Sequence, residues 1–98
     1  MADTPETRFK KKVKKYLTDK GIWHVKYFAC AYTPVGIPDI LGLFPNGRFF
    51  GLELKVKPNK PTPLQIRNVE LINKSNGYAK VLYPEDFEEF KKEVKENE

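Results

Sequence analysis

Apolar residues recur at helical spacing from the start of the chain. Phe9, Val13, Tyr16 and Leu17 form one stripe, with Thr4 placed as N-cap, Pro5 at the first helical position and Glu6 in the first turn. The pattern predicts a helix ending near Lys20-Gly21. Ile22 to Tyr32 is rich in β-branched and aromatic residues and predicts a strand. Two more strands are predicted over Ile37–Phe44 and Arg48–Lys57, around Pro45-Asn46-Gly47, followed by a loop over Pro58–Pro61. A second helix is predicted from about Thr62 to Ser75, with Leu64, Val69 and Ile72 among its apolar positions and Asn76-Gly77 as its stop. Tyr78–Tyr83 makes a fourth strand, and Pro84 opens a final helix carrying Phe87, Phe90 and Val94. The order α-β-β-β-α-β-α predicts an α/β fold with no internal repeat.

The third strand alternates: Phe50, Leu52, Leu54 and Val56 face one way, and Phe49, Gly51, Glu53, Lys55 and Lys57 the other. Pro45-Asn46-Gly47 suits a three-residue hairpin loop, a type I turn followed by Gly in the left-handed region. Phe44 then opposes Arg48, and Asp39 lies directly opposite Glu53, with Lys55 as a diagonal neighbour. A two-residue Asn46-Gly47 loop would instead set Asp39 against Leu54; Pro45 favours the longer one.

Composition narrows the class. A chain of 98 residues allows one domain with a modest core. The lone cysteine, Cys30, excludes an internal disulfide and a cysteine-based zinc site, and predicts a small buried hydrophobe. No apolar run is long enough to span a bilayer, and the first residues lack the apolar stretch of a signal peptide. The expectation is a soluble, cytoplasmic protein with no membrane partner. The formal charge of +5 hides an asymmetry: residues 1–83 hold 15 Lys or Arg against 6 Asp or Glu (+9), and residues 84–98 hold 3 against 7 (−4). A basic body of this size predicts a polyanionic partner, most simply nucleic acid.

The few acids of that body sit where they are costly. Asp39 is embedded in Ile37-Pro38-Asp39-Ile40-Leu41 and faces a second carboxylate, Glu53, across the hairpin. A hard divalent cation held by both relieves the repulsion, with Lys55 offsetting the remaining charge. Oxygen ligands in that number point to Mg²⁺ or Mn²⁺. The plainer reading is a salt bridge from Lys55 to either acid on an exposed sheet face. Glu6 lies on the inward stripe of the first helix, either as a further carboxylate at the metal or as a first-turn acid at the helix dipole. Thr62-Pro63-Leu64-Gln65 matches a capping box, which needs no chemistry of Gln65. His24 is read as an ordinary strand residue.

Taken together, Gly36-Ile37-Pro38-Asp39, thirteen intervening residues, Glu53-Leu54-Lys55 and then Pro61-Thr62-Pro63-Leu64-Gln65 resemble the virus-type replication–repair nuclease (VRR-NUC) domain of the PD-(D/E)XK nuclease superfamily. The set is also similar to the archaeal Holliday-junction resolvases, and the resemblance runs from Glu6 to the last helix. It implies a restriction-endonuclease-like core, a mixed four-stranded sheet flanked by helices. It implies further that Asp39, Glu53 and the Leu54 carbonyl hold the metal, that Lys55 positions or helps deprotonate the attacking water, and that Glu6 and Gln65 match the family's helix acid and glutamine. The products implied are a 5′-phosphate and a 3′-hydroxyl. The short chain looks like a free-standing form, of bacterial, phage or prophage origin.

Arg8, Lys11, Lys12 and Lys15, with Lys10 and Lys14, cover the polar side of the first helix and predict a phosphate track, and Lys57 and Lys60 are placed to grip the backbone near the cleavage point. Trp23, Tyr27, Phe28, Tyr32, Phe44, Phe49 and Phe50 are more aromatics than a core this small easily hides, which predicts a homodimer, fitting the two-fold symmetry of a four-way junction. The leading expectation is a Mg²⁺- or Mn²⁺-dependent, structure-selective DNA endonuclease of repair or recombination, a Holliday-junction resolvase. The alternatives are a flap- or end-directed nuclease of the same fold, and a non-catalytic DNA-binding module.

Overall fold

A computed structural model describes residues 3–98. The elements are helix α1 (Pro5–Asp19), strands β1 (His24–Lys26), β2 (Ile40–Leu43) and β3 (Phe49–Leu54), helix α2 (Pro63–Lys74), strand β4 (Tyr78–Leu82), a 3₁₀ turn (Pro84–Asp86) and helix α3 (Phe87–Lys95). One mixed sheet runs β1-β2-β3-β4, antiparallel except for the parallel pair β3–β4. Helices flank it in the predicted order. Among the described residues no helix is long and apolar enough to cross a membrane.

Local chemistry sets the ends of these elements. The Thr4 hydroxyl accepts the Thr7 amide at 3.1 Å, capping α1 as its sequence predicts. At the hairpin, Gly47 has φ +87° and its amide donates to the Phe44 carbonyl at 2.8 Å, while the Phe44 amide donates to Arg48 at 2.9 Å. This is the three-residue turn. The register follows, with Ile40 opposite Leu52 and Leu43 opposite Phe49.

Side-chain alternation along β3 splits the molecule into two layers. Phe50, Leu52 and Leu54 are fully buried with Phe9, Val13 and Leu17 of α1 and Phe87, Phe90 and Val94 of α3. Phe44 stacks on Phe50 with ring centroids 4.7 Å apart, and Phe87 meets Phe9 edge-on at 6.0 Å. On the other face, Gly51 lets Pro38 and Ile72 close in; a Cβ there would lie 3.0 Å from Pro38 and 3.3 Å from Ile72.

Three expectations need correction. The predicted strand Ile22–Tyr32 shrinks to His24–Lys26. Beyond it the Tyr27 amide bonds the Asp39 carbonyl (2.8 Å), and a turn closes between Cys30 and Thr33. Cys30 is exposed on that turn rather than buried. Helix α2 buries none of its residues, because the face it covers presents Gly51 and Glu53 instead of large apolar side chains; Leu64, expected inside, is exposed.

Candidate metal centre

Asp39 closes the gap between the irregular segment 27–38 and β2. Its backbone is held by the Tyr27 amide, the preceding Pro38 is fully buried, and Asn68 of α2 donates to the Gly36 carbonyl at 2.9 Å. With its own backbone fixed, Asp39 turns its Oδ2 onto the Leu54 amide at 2.9 Å, bridging the strand that carries Glu53. The predicted juxtaposition of the two carboxylates is present, although Asp39 sits at a bend just before β2 rather than inside a regular ladder.

Glu53 is 2 % exposed, and its Oε1 has no hydrogen-bond partner among the described residues. An orphaned carboxylate oxygen in such a position is costly. Its carboxyl pKa is pushed up from the ordinary 4.5 to about 8, first by burial, then by a hydrogen bond to and the charge of Asp39. The Lys55 and Lys10 ammonium groups pull the other way without prevailing. Without a cation, the pair therefore tends to retain a proton at neutral pH.

Two lysines frame the pair from different elements. Lys55, just past β3, brings its Nζ to 3.9 Å from Glu53 Oε2. Lys10 of α1 reaches Asp39 Oδ1 at 3.9 Å and Glu6 Oε2 at 3.8 Å. Glu6 is thus joined to the carboxylate pair through Lys10, rather than facing it directly. By sequence Lys10 belongs with the outer lysines of α1. The signal that separates it is spacing: Glu6, Lys10 and Lys14 recur at four-residue intervals and are all half-buried, flanking the apolar stripe.

The remaining predicted site residues lie apart from the carboxylate pair's direct contacts. Gln65 Oε1 accepts the Thr62 amide at 2.8 Å and the Thr62 hydroxyl accepts the Gln65 amide at 3.2 Å, a reciprocal capping box that starts α2. Lys57 lines a shallow cleft with Glu6, Pro5 and Val56, and pairs with Glu85 at 3.0 Å. Arg8, Lys11 and Lys15 lie on the solvent side of α1, tied to the Asp3 carbonyl, the Asp3 carboxylate and Asp19 at 2.6, 2.7 and 2.9 Å. Lys12 sits over the Phe87 ring at 5.4 Å, and Lys60 is exposed. Arg8, Lys11, Lys12 and Lys15 do not converge on the carboxylates; Lys10 does.

The donors present fit a hard divalent cation. Among the described residues no group of three or more His, Cys, Asp or Glu is gathered closely enough to hold a metal unaided. Mg²⁺ does not ask for one: it is commonly held by one or two carboxylates, with waters and substrate phosphate completing the shell. Buried Glu53, with one orphaned oxygen, beside half-buried Asp39 meets that description.

Comparison with known proteins bears on the fold that carries these residues. A solved structure titled "VRR_NUC domain" superposes with a TM-score of 0.68 and 29% sequence identity, covering 81% of this chain and 84% of that one. The fold is that of a VRR-NUC domain. No family model matches the chain, and no curated protein does. Within the VRR-NUC fold, Glu53 lies on β3 and Asp39 at the bend that leads into β2, the two central strands, at the end away from the Gly47 turn. A groove of about 580 Å³ between Phe49 and Leu71 is at the turn end of β3 and contains none of these acids.

Proposed function

We propose that this chain is a Mg²⁺- or Mn²⁺-dependent DNA endonuclease. A VRR-NUC domain suggests a nuclease of the PD-(D/E)XK type, and the observation that carries the reading is buried Glu53, with one oxygen unpartnered, facing Asp39 and flanked by Lys55.

Asp39 and Glu53 would hold the cation, with the Leu54 carbonyl as a further oxygen donor. A divalent cation supplies Lewis acidity toward a phosphate oxygen and lowers the pKa of a bound water. Lys55, kept by Glu53 at the rim of the pair, orients water for in-line attack and meets negative charge that builds on the phosphate. Lys10 balances the two outer acids, Glu6 and Asp39, so that the first helix keeps its distance and angle to the site. Gln65 acts through the cap: it fixes where α2 begins, and Asn68 one turn later fixes the loop before Asp39. The basic side chains of α1 and Lys57 and Lys60 contribute phosphate contacts.

The finer reading is a structure-selective enzyme on branched DNA, a resolvase of four-way junctions acting as a homodimer. Exposed Phe49, Leu64, Ile66 and Leu71 offer an apolar surface through which two copies could meet. The test is direct. Labelled four-way junctions, flaps, single strands and linear duplex are incubated with Mg²⁺, Mn²⁺ or EDTA. Cutting in either metal and none in EDTA is expected, with paired symmetric nicks on the junction. Failure to cut any substrate in either metal overturns the enzyme reading, and products confined to flaps or strand ends overturn the resolvase assignment alone.

A further inference from the structure

No acidic residue occurs between Asp19 and Asp39, and this stretch carries the two most exposed aromatic side chains among the described residues, Tyr32 at 96 % and Phe28 at 71 % exposure. Large rings left in water are unfavourable relative to burial. Their display is nonetheless ordered. The Tyr27 hydroxyl donates to the Pro34 carbonyl at 2.5 Å, and the Thr33 hydroxyl accepts the Cys30 amide at 2.8 Å. Asn68 holds the far end at Gly36. The segment is therefore a tied loop, with its rings outward.

Position and charge point to its use. Phe28 follows Tyr27, whose amide binds the Asp39 carbonyl, so the loop springs from beside a residue assigned to the metal. Lys26 Nζ lies 4.8 Å from the Phe28 ring centroid, placing a cation next to an exposed π-face. An aromatic face next to a lysine, in a stretch without acids, matches what single-stranded nucleic acid offers: a base face to stack on and a phosphate to neutralise. A continuous duplex offers phosphates and base edges, but its base faces are already stacked. We propose that Phe28 and Tyr32 stack on unpaired bases beside the metal site assigned to Asp39 and Glu53, so that the site selects DNA that is single-stranded or splayed. This rests on the nuclease reading above.

Cys30, the only cysteine, is exposed between the two rings and serves as a reporter independent of cleavage. The full chain is mixed in EDTA with a blunt duplex, or with the same duplex carrying a single-stranded gap. Affinity is measured, and alkylation of Cys30 by iodoacetamide is followed by intact mass. Gapped DNA should bind more tightly and slow alkylation, and blunt duplex should leave the rate unchanged. Phe28→Ala combined with Tyr32→Ala should weaken gapped-DNA binding by about 10- to 100-fold, as expected for losing base stacking, with duplex affinity and unfolding midpoint unchanged. Phe28→Tyr should keep the preference and Phe28→Leu should lose it. Equal loss for both DNAs, full preference in Phe28→Leu, or a shift of the double variant from dimer to monomer in sedimentation would each overturn the proposal. Tight binding with no Cys30 protection, in a protein that cuts gapped and blunt DNA alike once Mg²⁺ is added, overturns stacking and leaves the nuclease reading intact. Absence of binding to either DNA overturns stacking, and overturns the nuclease reading with it when cutting in Mg²⁺ and Mn²⁺ is absent too.

Discussion

On one face of β3, Phe50, Leu52 and Leu54 disappear completely beneath α1 and α3, in a layer of interlocked aromatic and aliphatic side chains. On the other, Gly51 and Glu53 meet Pro38 and a helix that buries nothing of its own. The same six-residue strand thus supports a dry core and a polar site, separated only by the alternation of its side chains. Rigidity is supplied from one side and chemistry is placed on the other. That division lets Glu53 be nearly inaccessible without any apolar layer having to close over it.

Substitutions on the two faces should therefore fail in different ways. Phe50→Ala opens a cavity in the closed layer and should lower stability by about 3–5 kcal/mol, read from the urea midpoint. Asp39→Asn, Glu53→Gln and Lys55→Ala should leave a folded protein with DNA binding largely retained, and each should reduce Mg²⁺-dependent cutting by about 100-fold or more, on the scale of losing one preorganised electrostatic group. A site variant that unfolds, or a folded Phe50→Ala protein that loses cutting, would erase the distinction.

A third prediction concerns pH. The Glu53 carboxyl is raised in the folded protein, so its contribution to stability is complete below its ordinary value near 4.5 and is lost as pH rises through about 8. Metal-free protein should accordingly melt at progressively lower temperature across that window. Glu53→Gln should flatten the trend, and added Mg²⁺ should restore the wild type at the alkaline end but not the variant. Weaker still, Gln65→Ala should cost about 1 kcal/mol or less, the value of part of a helix cap, with cutting retained; loss of cutting at unchanged stability would give Gln65 a direct part in the reaction. The smallest effect belongs to the outer lysines. Lys11→Ala removes a solvent-exposed ion pair of little stability value and should lower the salt slope of DNA binding by about 1 if Lys11 meets a phosphate.

Much of this division was legible in the residues because it is governed by short-range rules. Pro45-Asn46-Gly47 specifies its own turn, the turn sets the strand register, and the register sets Asp39 toward Glu53; none of these steps needs the rest of the chain. The Thr62–Gln65 cap is equally local. What escaped depends on tertiary position. The aromatic and β-branched run from Ile22 to Tyr32 reads as one strand, yet pairing ends at Lys26, and nothing local announces the Cys30–Thr33 turn. Leu64 looks like a core residue until the face beneath α2 is seen to carry glycine and glutamate. Lys10 looks like one more surface lysine, since its bond to Asp39 spans the gap from the first helix to the sheet.

The hairpin turn has one more consequence, for how such a chain can vary. Phe44 and Arg48 are bonded across a loop of three residues, and every pair along β2 and β3 inherits that count. One residue more or fewer would slip the register and send alternate side chains to the wrong face. Phe50 would be turned toward water and Glu53 toward the aromatic layer. Although the turn is at the opposite end of the hairpin from the carboxylates, it should tolerate changes of residue far better than changes of length. Among related sequences the stretch from Asp39 to Glu53 should therefore behave as a ruler, free in much of its lettering and fixed in its number of divisions.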